Sequence, residues 1–412
     1  MRQVDGGEAG RWMERIGSDG GRAPENERLI SLAEERPDPE LVPWDALREA
    51  SAAAWSSSSD LRGSDDPAGS LNLRSWLADA ISEAGGTRAG AEELLLAASG
   101  LSALDLVLRC KVKPGAAVLV EAPAAPETLR LLRLHGAAAV QVAGDRDGML
   151  PDALAAACGR HAPPLAIVSP APQLGGIAGG GWSLERREAL LEAAQRNGMT
   201  VVEDNGHGIA WRAEEGTPSL FALQRQRAGG AGESGVIQIG SLEPHLPPLG
   251  WLRAGSACRG ALAAAKAALT PPGAALWGER VLEHLLTGSA GAGRFSPAAY
   301  EAAMRREYGE RRELVLSLLR EPSWQGTAPL EGGGRHIWAR LPEGCSSDKL
   351  LRASLREGAA FLPGPLTYAE APPEADRLIR LSFTGCGRVQ LKQALARIAG
   401  ELEAFTARWD RQ

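Results

Sequence analysis

Between Asp66 and Gly255, short runs rich in Val, Ile and Leu alternate with segments of helical periodicity, and this alternation restricts the chain more than any other feature. Strand, crossover helix and strand again is the sequence form of a mostly parallel sheet covered by helices. The strand candidates are LLLAA (94–98), AVLVE (117–121), LAIVS (165–169), TVVED (200–204) and VIQIG (236–240). Helical spacing fills the intervals, as at Leu71, Leu77 and Ile81, at Leu104 and Leu108, at Leu129, Leu132 and His135, and at Leu190, Leu191 and Ala194. These intervals are long enough for the crossovers that parallel pairing requires.

After Pro271 the pattern changes. A long helical section includes Tyr300 to Leu319, strands are expected at HIWARL (336–341), AAFLP (359–363) and RLIRLSF (377–383), and a closing helix runs from about Val389 to Trp409. This region reads as a smaller α+β domain, joined by residues 28–55. The expected division is an N-terminal arm (1–27), an N-terminal segment of the small domain (28–55), a large domain (56–270) and a small C-terminal domain (271–412). With 412 residues, 44% of them hydrophobic, the chain can bury two sizeable cores.

Composition removes several functional classes. Lys and Arg number 45 against 51 Asp and Glu, a net charge of −6 with no extended basic stretch, which argues against direct nucleic-acid binding. The five cysteines are scattered and form no C-x-x-C pair, so buried free thiols are expected rather than a disulfide framework or a zinc site. No apolar run is long enough to span a membrane, and MRQVDGGEAG has no apolar signal core. A cytoplasmic protein without membrane contact is the expectation.

Nine phrases, in order and spacing, resemble the class I/II aminotransferases. They are LISLAEERPDPELVPWDAL (29–47), DPAGSLNLR (66–74), AASGLSALDLV (97–107), KPGAAVLVEAP (113–123), LERREALL (184–191), VVEDNG (201–206), GSL (240–242), FLPG (361–364) and IRLSF (379–383). Within that family they are similar to the branch of 2-aminoadipate aminotransferases and to the aminotransferase-like half of MocR-type regulators. Residues 1–27 are too short to hold the winged-helix domain of such a regulator. The resemblance covers nearly everything after residue 28. It implies a fold-type I pyridoxal-phosphate (PLP) transferase architecture, a PLP cofactor and a homodimer.

Residue by residue, the resemblance implies a site. Asp204 matches the carboxylate that keeps the pyridine nitrogen protonated, which the cofactor needs as an electron sink; the alternative is an aspartate capping the next turn. Ser99, Gly100, Leu101 and Ser102 match the phosphate-binding turn at a helix start, and Ser241 matches a phosphate-side serine; small residues there also serve as plain turn chemistry. Arg380 matches the arginine whose planar fork holds a substrate carboxylate, and a structural salt bridge in the small domain is the open alternative.

The departures from the family are as informative. Its segment Gly-Ser-Phe-Ser-Lys ends in the Schiff-base lysine, whereas this chain reads GSLEP and has Pro244 there. Proline cannot form an imine or move a proton between substrate and cofactor. No lysine lies between Lys113 and Lys266, so no shift of alignment supplies one. Ala125 replaces the ring-stacking tyrosine, Gly206 stands for the tyrosine on the phenolic oxygen, Leu174 begins LGGI in place of Asn-Pro-Thr-Gly, and Ser64 replaces the tyrosine lent by the partner subunit. The arginine after the lysine segment has no counterpart in LPPLGWLRAG, where Arg253 is a displaced candidate.

Three readings follow. The first is a homodimeric pseudoenzyme with no catalytic residue and no metal, serving as a scaffold or as a sensor of a small amino acid or anion, with PLP absent or not held as a Schiff base. The second is a working PLP enzyme on an amino acid and a 2-oxo acid with atypical cofactor binding. The third is a regulator derived from a MocR-type ancestor and acting through a partner.

Overall fold

The computed structural model of the chain describes all residues except 1–28, 58–65, 86–87, 146, 171–180, 208–217, 229–234, 243–244, 270–275, 288–294, 331–333 and 410–412. The expected N-terminal arm, Ser64, Leu174 and Pro244 therefore lie outside the described residues.

In chain order the first half carries β1 (Ile30–Leu32), α1 (Trp44–Ser57), α2 (Leu71–Gly85), β2 (Leu94–Ala97), α3 (Gly100–Lys111), β3 (Ala117–Glu121), α4 (Pro126–Leu134), β4 (Ala138–Val142), the short pair β5 (Gly144–Asp145) and β6 (Gly148–Met149), α5 (Pro151–His161), β7 (Leu165–Val168) and α6 (Leu184–Asn197). The second half carries β8 (Thr200–His207), α7 (Leu220–Arg227), β9 (Val236–Ser241), β10 (Gly250–Arg253), α8 (Ser256–Leu269), α9 (Leu276–Thr287), α10 (Pro297–Leu318), β11 (Ala328–Leu330), β12 (His336–Arg340), α11 (Ser347–Arg356), β13 (Ala359–Pro363), β14 (Leu378–Ser382) and α12 (Arg388–Trp409).

The large sheet has the strand order β2-β10-β9-β8-β7-β3-β4. Its strands pair in parallel except β10, which is antiparallel to both β2 and β9. Both faces are covered, which is why the central strands read as continuous apolar runs rather than alternating ones. On one face Val120, Ile167, Val202 and Ile239 pack with Leu104 and Leu108 of α3 and Leu262 of α8. On the other, Leu119, Val168 and Val201 pack with Leu154 of α5, Leu190 of α6 and Phe221 of α7.

All five expected strands of this sheet are present, and two more appear that sequence reasoning passed over. β4 lies at the sheet edge, where Ala138 is exposed and Gln141 interrupts the apolar pattern. β10 lies inside LPPLGWLRAG, where the resemblance pointed only to an absent arginine; its Trp251 and Leu252 are buried between two strands.

The small sheet has the order β1-β13-β14-β12-β11 and packs against α10, α11 and α12 through Val315, Leu350, Leu351, Leu391 and Leu395. β1 pairs in parallel with β13, Ile30 opposite Ala359, so the first described strand completes the C-terminal domain. Ala50 and Ala54 of α1 share a core with Leu73 and Leu77 of α2, Leu94 and Leu96 of β2, and Val281, Leu282 and Leu285 of α9. Because their apolar faces are buried there, α1 and α9 pack with the large domain although residues 28–55 and 271–412 were assigned to the small one.

A buried polar cluster joins the two parts. Arg311 of α10 donates from Nη2 to Asp38 Oδ2 at 2.6 Å and from Nε to Glu307 at 2.8 Å. Its Nη1 donates to the carbonyls of Cys386 (2.7 Å) and Thr384 (3.1 Å). The Asp38 N–H donates to Nε2 of His245 at 3.2 Å, and the Tyr308 hydroxyl lies 3.1 Å from the same nitrogen. His245 comes from the loop between β9 and β10, so this cluster ties a large-domain loop to the N-terminal segment and to α10. Burial pushes the imidazole down to about 4, with Arg335 adding to the effect, so the ring is neutral at pH 7.

Candidate functional site

The C-terminal ends of the parallel strands present most of the candidate residues, as is usual for ligand sites in open α/β sheets. Ser99 caps α3: its backbone is extended and its Oγ accepts the Ser102 N–H at 3.1 Å. The Ser99 and Ser102 hydroxyls are 2.9 Å apart, and Ser241 Oγ accepts the Gly100 N–H at 2.9 Å. Ser99, Gly100, Ser102 and Ser241 thus form one cradle at the start of α3. Leu101 lies in the same first turn with its side chain 43% exposed, so only its backbone N–H suits an anion.

The cradle depends on β10. Gly250 pairs with Ala97 on one side and Ser241 on the other, and a Cβ on Gly250 would fall 2.0 Å from the Ser99 carbonyl carbon. A Cβ on Gly100 would fall 2.6 Å from Ser241 Oγ. Gly250 is therefore required by close approach of backbone to backbone, whereas a Cβ on Gly100 would displace the Ser241 hydroxyl.

Asp204 sits on β8 beside β9, and its Oδ1 accepts the Gly206 N–H at 2.9 Å. Gly206 has φ +66°, in the left-handed region, within a break of register between Asp204, opposite Ile239, and His207, opposite Ser241. That backbone gives the glycine a reason of its own, independent of any lost tyrosine. From the pairing, Asp204 and Ser241 are on the order of 8 Å apart along the sheet edge.

Asp204 and Arg380 line a common cavity of about 50 Å³ between the end of the large sheet and the face of β12 and β14. Ala124, Ala125, Thr128 and Trp338 complete much of its wall. Ala125 is the N-cap of α4, so the position expected to stack on a ring carries only a methyl group. Arg380 donates from Nη2 to the Ala33 carbonyl at 3.3 Å, while its Nε is sealed from solvent with no acceptor among the described residues. Among the described residues no carboxylate pairs with Arg380, so the salt-bridge alternative finds no partner there.

Sequence reasoning missed Glu121, Thr128, Trp338 and Thr367, all of which line the cavity. For Trp338 the signal is the cross-strand register: it lies directly opposite Arg380, so the two share one face of the small sheet. The Glu121 carboxylate accepts the Ser169 N–H at 2.6 Å and the Trp182 indole N–H at 2.8 Å. Burial nevertheless pushes its carboxyl up to about 7, against those two hydrogen bonds.

Arg253 is not a displaced phosphate ligand. It ends β10, opposite Leu94 at the start of β2, and so lies at the far end of the sheet from the cradle. There it donates to Glu93 at 2.7 Å and stacks over Phe221 with 4.3 Å to the ring centroid. All five lysines are described, and none lines the cavity. Lys111, Lys113, Lys349 and Lys392 are exposed, and Lys266 lies on α8, where burial lowers its ammonium pKa. The cysteines are all free, although Cys110 is exposed where buried thiols were expected. Among the described residues there is no metal-binding cluster of His, Cys, Asp and Glu, and no helix long and apolar enough to cross a membrane.

No family model matches the chain. It is 30% identical over 381 residues to a 2-aminoadipate transaminase of Thermus thermophilus, covering 92% of this chain and 91% of that enzyme. It is also 26% identical over 329 residues to the HTH-type transcriptional regulator TauR of Rhodobacter capsulatus, covering 77% of this chain and 62% of the regulator. Among solved structures it is similar to the α-aminoadipate aminotransferase LysN from Thermus thermophilus, complexed with N-(5'-phosphopyridoxyl)-L-leucine. That likeness has a TM-score of 0.78 and 27% identity, over 96% of this chain and 99% of the other.

Proposed function

Because this chain belongs to the class I/II family of fold-type I, PLP-dependent aminotransferases, we propose that it keeps the family scaffold without transaminating, as a ligand-binding pseudoenzyme. The observation that carries this reading is the lysine census: five lysines in the whole chain, and none at the cavity shared by Asp204 and Arg380. Transamination needs an amine both as tether and as proton carrier, and Pro244 supplies neither.

PLP supplies an electron sink where it is bound, and the residues present fit it only in part. Asp204 suits a protonated pyridine nitrogen, and the cradle of Ser99, Gly100, Ser102 and Ser241 suits a phosphate. Ala125 offers no ring for stacking, and no amine is available for an imine. The residues do not fit a covalently held cofactor, and no step of chemistry is assigned through one. The test is an absorption spectrum after incubation with PLP, followed by borohydride reduction and intact mass. Protein without a stoichiometric adduct and without transaminase activity is the expected result, and a stoichiometric reduced PLP adduct at one single lysine refutes the reading.

The persistence of Asp204 and of the cradle favours one alternative, an enzyme holding PLP without a tether. PLP retained through gel filtration, together with measurable amino transfer, would establish it. The scaffold reading also includes a homodimer. Trp44 and Trp55 of α1 are 54% and 63% exposed, and the Trp55 ring lies 4.2 Å from that of Trp277 on α9, an aromatic surface suited to burial in a second copy. Light scattering after size exclusion tests it, with a monomer as the contrary result.

A further inference from the structure

We propose that Gln141 is a clasp that locks the two parts of the chain over their shared cavity, so that a solute larger than a few waters reaches the cavity only while the clasp is undone. Access is a separate matter from chemistry, and the clasp would act alike on PLP, on a substrate or on any other solute.

The cavity has two walls. Ala124, Ala125 and Asp204 belong to the large domain, whereas Trp338, Thr367 and Arg380 belong to the small one. Its volume of about 50 Å³ admits roughly four water-sized groups. That is well below the roughly 300–1,000 Å³ of small-molecule sites. The separation of the walls sets this volume, and the walls are fastened to each other at Thr367.

The Thr367 carbonyl accepts from two large-domain donors, the Ala124 N–H at 2.9 Å and Nε2 of Gln141 at 3.3 Å. Two residues further on, the Ala369 N–H donates to Oε1 of the same glutamine at 2.8 Å. The Gln141 amide therefore offers this backbone one donor and one acceptor, as a neighbouring strand would. It is anchored in turn, because Nε2 also donates to the Glu121 carbonyl at 3.2 Å, on the strand that β4 pairs with. The other side is stiff as well: Gly364–Thr367 is a 3₁₀ turn, closed by Thr367 Oγ1 donating to the Gly364 carbonyl at 2.7 Å.

Gln141 is half-buried on the edge strand β4, where a polar side chain is ordinarily left to water. Here both amide atoms are committed to holding the small domain. A few hydrogen bonds at a half-buried rim are strong enough to keep the clasped arrangement dominant, yet weak enough to open locally without unfolding either core.

The test is the alkylation rate, by N-ethylmaleimide, of the thiol introduced by Ala125→Cys in the purified full chain, read by peptide mass spectrometry. The reagent is too bulky for the clasped cavity. Exposed Cys110 gives an unhindered rate, while Cys158 and Cys386, each 4% exposed and lying in the cores of the large and small domains, report global unfolding. With Gln141 intact, position 125 should react at least about tenfold more slowly than Cys110. Gln141→Leu keeps the bulk and removes the amide, and should speed position 125 about tenfold while Cys158 and Cys386 keep their rates. Gln141→Glu retains Oε1 for Ala369 but sets a carboxylate against the Thr367 and Glu121 carbonyls, and should speed it too. A rate equal to that of Cys110 in the presence of Gln141, no acceleration in either variant, or equal acceleration at Cys158 and Cys386 overturns the proposal. If Ala125→Cys fails to fold by circular dichroism, hydrogen exchange of the Ala124 amide decides, since its hydrogen bond crosses from wall to wall. It should quicken by a similar factor in Gln141→Leu, and unchanged exchange counts against the clasp.

Discussion

Replacing Arg311 by methionine probes the polar cluster that joins the two parts of the chain. The substitution keeps the length and apolar stem of the side chain and removes five donors. Asp38, with a side chain 5% exposed, then loses its charge partner, and the carbonyls of Cys386 and Thr384 lose their donor. Breaking a buried ion pair by removing one partner costs about 3–5 kcal/mol, because the remaining charge is left uncompensated. The retained hydrogen bond from the Glu40 N–H to Asp38 sets the expectation toward the lower end of that range. A urea titration followed by far-ultraviolet circular dichroism, with tryptophan fluorescence as a second probe, measures the loss. The companion variant Asp38→Asn and the double variant complete a cycle. If the cost arises from an orphaned charge, the double variant loses less than the two single losses combined. A loss below about 1 kcal/mol for Arg311→Met, or full additivity in the cycle, refutes the reasoning.

Three further outcomes are expected. His245 has its folded pKa lowered from 6.5 to about 4, so between those values the unfolded chain binds more protons and stability falls as pH falls; the share at stake is about 3 kcal/mol, complete above pH 6.5. Glu121 acts in the opposite sense, since its raised value near 7 makes its share fade as pH rises from 4.5. The difference in denaturation midpoint between the parent and His245→Gln, followed from pH 7 to pH 4, isolates the histidine, and a difference independent of pH contradicts its assignment. Gly250→Ala should lower the thermal midpoint severely or abolish folding, because the Ser99 backbone cannot move aside, whereas Gly260→Ala, with open space around its Cβ, should be neutral or stabilising by up to about 1 kcal/mol. Pro244→Lys should show no transaminase activity in a coupled 2-oxoglutarate assay, because Ala125 still offers no ring to the cofactor; measurable turnover would contradict a general loss of the pocket.

Much of the large domain was legible because its central strands are buried on both faces. LAIVS and VIQIG announce themselves as apolar runs, and helix starts at Ser99 and Ser183 carry side-chain caps. β10 was not legible, since GWLR is short, ends in an arginine and follows two prolines; it is a strand because two neighbours hold it. The packing of α1 was illegible for a related reason. Nothing local in α1 says which sheet its alanines will meet, and only the shared core with β2 and α9 decides. Matching residue by residue to the family named Asp204, Arg380 and the serines, and the fold brings Asp204 and Arg380 to one cavity and the serines to one helix start. Trp338 escaped because an isolated tryptophan in a strand reads as core, and its relation to Arg380 exists only once β12 and β14 are paired.

The pairing of β1 with β13 has a bearing on how the chain is made. Ile30 leaves the ribosome long before its partner Ala359, with the strands of the large sheet between them. By then β2 to β10 have all emerged, so the large domain can assemble while β1 still waits with an unpaired edge. Asp38, a few residues further on, waits with it for Arg311. A chain stalled or cut before β13 would therefore be released with β1 unpaired. That segment is the first place to look for chaperone contact or proteolytic nicking during synthesis.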